Sequence, residues 1–283
     1  MTSTISPLAP EEKRSNNLPA TLLRVWTSRD LIWLLVKRDI MLQYRDTAMG
    51  WVWLIATPLV LLGVYSFIFL ALYNVGRTAS HNGMEVSYPL VVFSGLILFH
   101  VFADCFGAAP TLIKDNVNLV KKNIFPIEII AFVSVISSLL RGAIGLALLI
   151  LFYIAFEGMV SFTILFVPII WAMFGLFLIG MIWLFSSIGL VLRDIAPLFR
   201  SVTIVIMLAS PIFYNIDKAP DHLQFWLLLN PLAGYIELTR QAVIWNEVPS
   251  LTLLLIHGVG SVFMLWLGHL TFFRLRPYFA DLL

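Results

Sequence analysis

Long apolar runs separated by short polar breaks dominate the chain from about residue 51 onwards. A helix needs about 20 apolar residues to cross the roughly 30 Å hydrocarbon core of a bilayer. Six runs approach that length, and we predict spans at about 51–73, 88–112, 127–156, 163–192, 201–216 and 251–273. The pattern therefore predicts an all-α membrane protein, with an N-terminal arm at 1–50 and a six-span transmembrane domain at 51–283.

Two further segments are apolar without being spans. The stretch 221–245 is interrupted by Asn230 and Pro231, which leave pieces too short to cross. We predict a re-entrant pair of short helices there, because irregular backbone at membrane depth is tolerated only where protein or a cavity covers it. The stretch 28–46 mixes apolar and charged residues, and we predict that it forms an interfacial helix.

Composition and charge agree with this picture. Hydrophobic residues make up 60% of the 283 positions and charged residues only 12%, against about 25% charged in a typical soluble domain. Fourteen of the 18 Lys and Arg residues fall on one side if both chain ends lie there. The positive-inside rule then places both termini in the cytoplasm. The first 20 residues contain no apolar signal-peptide core, so we expect the first span to act as the insertion signal.

The usual motifs of catalysis are missing from the sequence. We find no phosphate-binding loop ending in Gly-Lys-Ser/Thr, no nucleophile elbow, and no histidine pair with metal-binding spacing. We therefore expect a non-catalytic chain without a metal site, and no nucleic-acid partner. The single cysteine, Cys105, lies in an apolar run and excludes an intramolecular disulfide.

Two charged residues, Asp104 and Arg141, fall inside the second and third spans. An unpaired charge there costs about 2.5–3.5 kcal/mol even on the lenient insertion scale. One interpretation places them on a polar pathway. The other is that they pair with each other between neighbouring helices.

Several aromatic residues are placed where they could stack on sugar rings in a channel. The alternative is ordinary packing against lipid and neighbouring helices. The channel residues we predict are Tyr65, Phe69, Tyr73, Phe213 and Tyr214.

Three groups of segments carry a family resemblance. They are 37–59 (KRDIMLQYRDTAMGWVWLIATPL), 118–130 (NLVKKNIFPIEII), and the set formed by 191–200, 210–214 and 229–243. In this order they resemble the permease subunit of a polysaccharide-exporting ABC type-2 transporter, a family that exports O-antigen, capsule and teichoic acid. The segments cover the whole transmembrane region.

The resemblance implies a homodimer that binds two copies of a separate ATPase subunit, with ATP and magnesium held on that partner and no cofactor in this chain. It implies a location in the bacterial inner membrane, in contact with membrane lipid. It also assigns roles by position. The ATPase-coupling residues would be Lys121, Lys122, Asn123, Phe125, Pro126, Glu128, Arg38, Tyr44 and Arg45, and the outward gate would contain Asn230, Pro231, Glu237 and Arg240.

The sequence thus favours the transmembrane subunit of an exporter for a lipid-linked, O-antigen-like polysaccharide. A capsule or teichoic-acid exporter, or a drug or lipid exporter of the same ABC type-2 class, is the alternative. A more remote alternative is an intramembrane enzyme that modifies glycolipids, with Asp104 and Glu237 as its acids. A passive channel would not need a coupling loop.

Overall fold

The computed structural model of the chain describes residues 17–45, 47, 49–68, 78–120, 125–192, 194–214, 227 and 230–279. This part of the chain is almost entirely helical. Its elements are α1 (Leu18–Thr27), α2 (Arg29–Tyr44), α3 (Trp53–Phe67), β1 (Thr78–His81), β2 (Met84–Ser87), α4 (Tyr88–Ala108), α5 (Leu112–Asp115), α6 (Val117–Val120), α7 (Ile129–Glu157), α8 (Val167–Val191), α9 (Ile195–Ala209), α10 (Pro231–Val243) and α11 (Leu251–Leu275).

Five helical segments are long and apolar enough to cross a membrane. They are Gly50–Phe67, Tyr88–Ala108, Ile129–Glu157, Phe162–Val191 and Leu251–Tyr278. The predicted all-α membrane fold is confirmed, and these five bounds lie close to the predicted ones. The apolar helix α9 is shorter, about 22 Å at 1.5 Å per residue. The sixth span therefore stays a prediction.

The bounds of α9 differ from the predicted span at 201–216. The helix begins at Ile195 and ends at Ala209. Pro197, which reads as a break in the sequence, lies in its first turn. A proline is tolerated there, because the backbone N–H groups of the first turn have no intrahelical acceptor. At the other end, Ser210 adopts an extended backbone and the chain turns.

A two-stranded hairpin, which the sequence analysis missed, precedes α4. Strands β1 and β2 pair antiparallel, with Thr78 opposite Ser87 and His81 opposite Met84. Asn82 and Gly83 connect them, both with positive φ. Asn-Gly is the preferred pair for a two-residue hairpin turn, because both positions need the left-handed conformation. The Asn-Gly dipeptide is therefore the sequence feature from which this hairpin could have been predicted.

The described ends of the chain lie on the same side of the helix bundle. Arg24 of α1 and Arg276, just after α11, both contact Glu128 at the start of α7. We call this the terminal side, and the face that carries β1 and β2 the hairpin side. Helix α9 runs between them, since Phe199 stacks on Phe106 near the end of α4, whereas Phe213 beyond α9 accepts a hydrogen bond from Tyr88 at the start of α4.

The tightest helix pair is α8 with α11. A Cβ on Gly180 would overlap the backbone of Met264 and Leu265, and a Cβ on Gly268 would overlap the backbone of Gly180. Small residues allow such close approach, which matters in lipid because helix association there depends on packing contacts rather than on apolar burial. This pair anchors the last span.

Helix α3 packs loosely against the bundle. Leu62 is its only buried residue, although it lies against α4 and α7. Two open spaces lie along it, bounded on the other sides by α4 and α7. A third space lies between α2, α4 and α7 near the terminal side and shares lining residues with one of them. We call these spaces together the crevice.

Candidate functional site

The crevice contains the two intramembrane charges, and they pair there. Arg141 Nη2 lies 2.9 Å from Asp104 Oδ2 and donates a second hydrogen bond of 2.8 Å to Ser138 Oγ. The Asp104 side chain is 46% exposed and that of Arg141 18%. The carboxylate therefore faces open space, while the guanidinium is largely enclosed. The pair joins α4 to α7.

Two of the cavities that make up the crevice meet at this ion pair. The middle cavity, about 200 Å³, is lined by Gln43, Tyr44 and His100 together with apolar residues of α3 and α4. The terminal cavity lies between α2, α4 and α7, and Arg38, Asp39 and Asn116 are among its lining residues. Asp104, Arg141, Ser138 and Gln43 line both. The terminal cavity, at about 520 Å³, falls within the 300–1,000 Å³ typical of ligand sites, and the middle cavity is smaller.

The predicted interfacial helix contributes one wall. Helix α2 covers most of the predicted stretch 28–46 and buries Ile32, Leu35 and Val36. Burial raises the pKa of the Tyr44 hydroxyl, an effect that Arg141 opposes and Asp104 reinforces. The phenol therefore stays protonated near neutral pH and can donate a hydrogen bond into the cavity. Arg38 and Arg45, which the resemblance assigns to the ATPase contact, are exposed.

The predicted channel aromatics are partly brought together. The rings of Tyr65 and Phe213 have centroids 5.8 Å apart and are tilted by 34°. Tyr214 donates a hydrogen bond of 3.4 Å to the carbonyl of Leu208. Phe69 and Tyr73 lie outside the described residues. The contact places α3 beside the turn that follows α9, on the hairpin side.

The predicted gate hairpin is described only in its second half, the helix α10. Asn230 caps this helix, because its Oδ1 accepts a hydrogen bond of 3.0 Å from Leu232 N. Its Nδ2 donates to Ser210 Oγ at 2.8 Å. Pro231 occupies the first helical position, which its fixed φ suits. Glu237 accepts a hydrogen bond of 3.4 Å from Gln241 one turn later.

Arg240 of α10 is fully enclosed and binds backbone carbonyls. Its guanidinium donates from Nε to Ser94 Oγ (3.3 Å), from Nη1 to Pro211 O (2.6 Å), and from Nη2 to Val91 O (3.0 Å) and Ile212 O (2.9 Å). The residue thus joins α10 to the start of α4 and to the turn after α9. The sequence predicts Arg240 in the short helices of the outward gate, but it does not indicate this burial.

The charge of Arg240 survives burial. Desolvation lowers its pKa to about 10, while the nearby Glu237 and Tyr88 act in the opposite direction. The side chain is therefore cationic near neutral pH. Among the described residues it has no ion-pair partner, and its hydrogen bonds to backbone carbonyls and to the Ser94 hydroxyl tie three elements together.

Of the predicted coupling loop, the structure describes the final residues. Phe125 and Pro126 are half-buried, whereas Lys121, Lys122 and Asn123 lie outside the described residues. Glu128 is only 1% exposed and lies 3.6 Å from Arg24 Nε and 3.4 Å from Arg276 Nη1. Its carboxylate therefore faces the protein and offers no surface to a partner.

Further contacts surround Glu128. Trp183 Nε1 donates to its carbonyl at 3.2 Å. Thr21 Oγ1 lies 3.0 Å from His269 Nε2 and accepts a hydrogen bond from Arg24. The guanidinium groups of Arg24 and Arg276 lie 5.8 and 5.6 Å from the centroid of the Phe273 ring. We call this group the Glu128 cluster.

On the hairpin side, a separate polar group joins β1 to the segment after α10. The His81 ring stacks on Trp245 with centroids 5.0 Å apart. His81 Nε2 lies 3.4 Å from Glu247 Oε2, and Asn82 Nδ2 donates to Glu247 Oε1 at 2.9 Å. No cluster of three or more metal-ligating side chains occurs among the described residues.

Comparison with known proteins identifies the family to which the chain belongs. Residues 30–244 match the ABC-2 type transporter family, and the chain belongs to that family. It is 26% identical over 255 residues to the O-antigen export system permease protein RfbA of Klebsiella pneumoniae, covering 90% of this chain and 95% of that protein.

Two other relatives have related descriptions. Identity is 21% over 256 residues with the O-antigen export system permease protein RfbA of Myxococcus xanthus, covering 89% of this chain and 95% of the relative. It is 23% over 212 residues with the polysialic acid transport protein KpsM of Escherichia coli, covering 73% and 78%. The resemblance to polysaccharide-exporting permeases is confirmed.

Proposed function

We propose that this chain is the transmembrane subunit of an ATP-driven exporter that moves a lipid-linked polysaccharide, O-antigen-like in kind, out of the cytoplasm. The observation that carries the proposal is the similarity to O-antigen permeases over nine-tenths of the chain. A polar crevice at membrane depth is consistent with it, since a polar head must leave water to enter a membrane path.

We assign the terminal side to the cytoplasm. Arg24, Arg38, Lys114, Arg274 and Arg276 all lie towards this side, as the positive-inside rule requires. Both termini are then cytoplasmic, and the hairpin side faces outward across the bacterial inner membrane. The loop at 118–128 would dock on the ATPase, and the Glu128 cluster would hold its end against α1 and α11.

Two copies of the chain would form the transport path with two ATPase subunits. Helices α3 and α9 support this assembly, because each buries a single residue in the isolated chain, Leu62 and Phe199 respectively. Their remaining apolar faces are free to contact a second copy. ATP and magnesium would be bound by the partner, and this chain would carry out no chemistry of its own.

The test is a deletion of this gene in its own host, with surface glycan and intracellular lipid-linked glycan measured together. Loss of the surface polymer with accumulation of the intracellular one is expected, and restoration requires both this chain and an active ATPase. A partner with its ATP-binding lysine replaced should fail to restore export. Unchanged surface glycan with increased sensitivity to drugs would favour the small-molecule exporter and contradict the proposal.

A further inference from the structure

Arg141 has hydrogen-bonding capacity that the described residues do not use. A guanidinium has five N–H donors. Both hydrogen bonds made by Arg141 come from Nη2, and its Nε is buried without a partner. A desolvated donor on a cation without an acceptor costs free energy. The guanidinium is therefore placed for a group that the described residues do not supply.

The acceptor now bound to Arg141 is a replaceable one. Asp104 is 46% exposed, and its contact with Arg141 lies where the two polar cavities meet. An incoming anion could displace the carboxylate towards open space and bind the guanidinium fork with two parallel hydrogen bonds, which arginine favours with phosphate. The terminal cavity as a whole is balanced, with Arg38 and Arg141 against Asp39 and Asp104. An anion therefore gains the full attraction of the Arg141 guanidinium only if it displaces the Asp104 carboxylate.

Further along the same helices, the crevice includes a mostly apolar cavity. A third cavity lies between α3, α4 and α7 towards the hairpin side, and its mostly apolar lining includes Leu62, Gly63, Leu90 and Phe152. Its polar lining residues are Ser66, Ser87 and Glu157, and the Glu157 carboxylate accepts a hydrogen bond of 2.7 Å from Ser87 N. From Asp104 to Leu90 the helix rises about 21 Å at 1.5 Å per residue. A cation at one end and an apolar trough above it match an amphiphile with a phosphate head and a long chain.

We propose that the crevice binds the polyprenyl phosphate carrier of the exported glycan within a single protomer. Its phosphate takes Arg141 in place of Asp104, and its isoprenoid chain lies between α3 and the α4–α7 pair. The loose packing of α3 allows the chain to enter sideways from the membrane. This proposal rests on the proposed function for the identity of the carrier.

The binding test uses the full chain in phosphatidylcholine nanodiscs, titrated with radiolabelled undecaprenyl pyrophosphate. Arg141→Gln should weaken binding at least tenfold. Asp104→Asn should strengthen it severalfold, because the competing carboxylate is gone. Exposed Arg274→Gln is the matched control and should leave the affinity unchanged. If Asp104→Asn weakens binding, the carboxylate itself contacts the ligand and the proposed displacement is wrong.

A second pair of variants tests the apolar part of the crevice. A Cβ on Gly63 meets no atom within 4 Å, and the same holds for Gly260 on α11. Gly63→Leu should fill the trough and weaken binding at least fivefold, with a melting temperature like that of the unmodified chain. Gly260→Leu should have no effect on either. Full binding by Gly63→Leu would overturn the placement of the isoprenoid chain.

Two further arms separate the alternatives. Phosphatidylglycerol, used in place of phosphatidylcholine, should compete only weakly with undecaprenyl pyrophosphate. Competition at equal mole fraction would show a general anionic-lipid site and overturn the chosen occupant. The double variant Asp104→Asn with Arg141→Gln removes both charges, so it keeps the protein foldable and should not bind. Gene deletion reports the proposed function and this series reports the site, so each can fail without the other.

Discussion

Replacing Arg240 by methionine provides the sharpest test of how the hairpin side of the bundle is held. The side chain donates four hydrogen bonds, and two of its acceptors, Pro211 O and Ile212 O, lie in the turn after α9 rather than in a helix. Methionine fills similar space but leaves these carbonyls buried without that donor. Each orphaned buried acceptor costs about 1–3 kcal/mol.

We therefore expect Arg240→Met to lower the free energy of unfolding by about 2–5 kcal/mol, the lower end reflecting relief from burying a cation. At about 2–4 °C per kcal/mol, the midpoint of thermal unfolding in detergent should fall by roughly 5–15 °C. Arg240→Lys keeps the charge but not the planar fork, so its melting midpoint should lie between those of the original chain and of Arg240→Met.

The measurement is the melting midpoint of the full chain, followed by tryptophan fluorescence, together with export in the deletion strain. Exposed Arg200→Met is the matched control, and surface changes of this kind usually fall within about 0.5 kcal/mol. The reasoning would be refuted by an Arg240→Met chain that melts within about 2 °C of the original, or by Arg240→Lys melting below Arg240→Met.

Three further predictions test other parts of the fold. Gly180→Ala should destabilise the chain by about 1–3 kcal/mol through overlap with α11, whereas Gly260→Ala in open space should not; equal melting points would contradict this. Glu128→Gln should release α1 and speed trypsin cleavage after Arg24, and an unchanged cleavage rate would show that the ion pairs do not hold that helix. Cross-linking the double variant His81→Cys with Glu247→Cys by a short bismaleimide should stop export, because it fixes the end of α10 to β1. Either single variant should export normally. Normal export by the cross-linked protein would show that the end of α10 does not move during transport.

The long helices could be predicted from the sequence because the bilayer imposes a length and an apolar composition on each. The segments at 88–112, 127–156, 163–192 and 251–273 all correspond to helices with bounds near those expected. Helix α9 was misplaced because Pro197 reads as a break, although its position in the first turn makes it harmless. The hairpin at 78–87 was not predicted, because its sequence signal is an Asn-Gly pair in a polar segment and the other elements were predicted from apolar runs.

The roles of the charged residues could be predicted only in part. Sequence position shows that Asp104 and Arg141 are expensive in a membrane, but not that they meet, since partners on different helices depend on helix rotation. Glu128 looks like one more charge in a polar loop, and its burial depends on Arg24 and Arg276, more than 100 residues away in either direction. Arg240 likewise binds carbonyls, which every residue possesses and no sequence pattern marks.

The Glu128 cluster also sets an order for biogenesis. Helix α1 leaves the ribosome first, yet Thr21 bonds to His269, 248 positions later. Arg24 likewise shares its acidic partner with Arg276. The earliest helix thus reaches its final contacts only after the last span has been inserted. Ribosome-bound chains that stop short of residue 269 should expose α1 to protease, and its protection should mark the moment at which the membrane domain is complete.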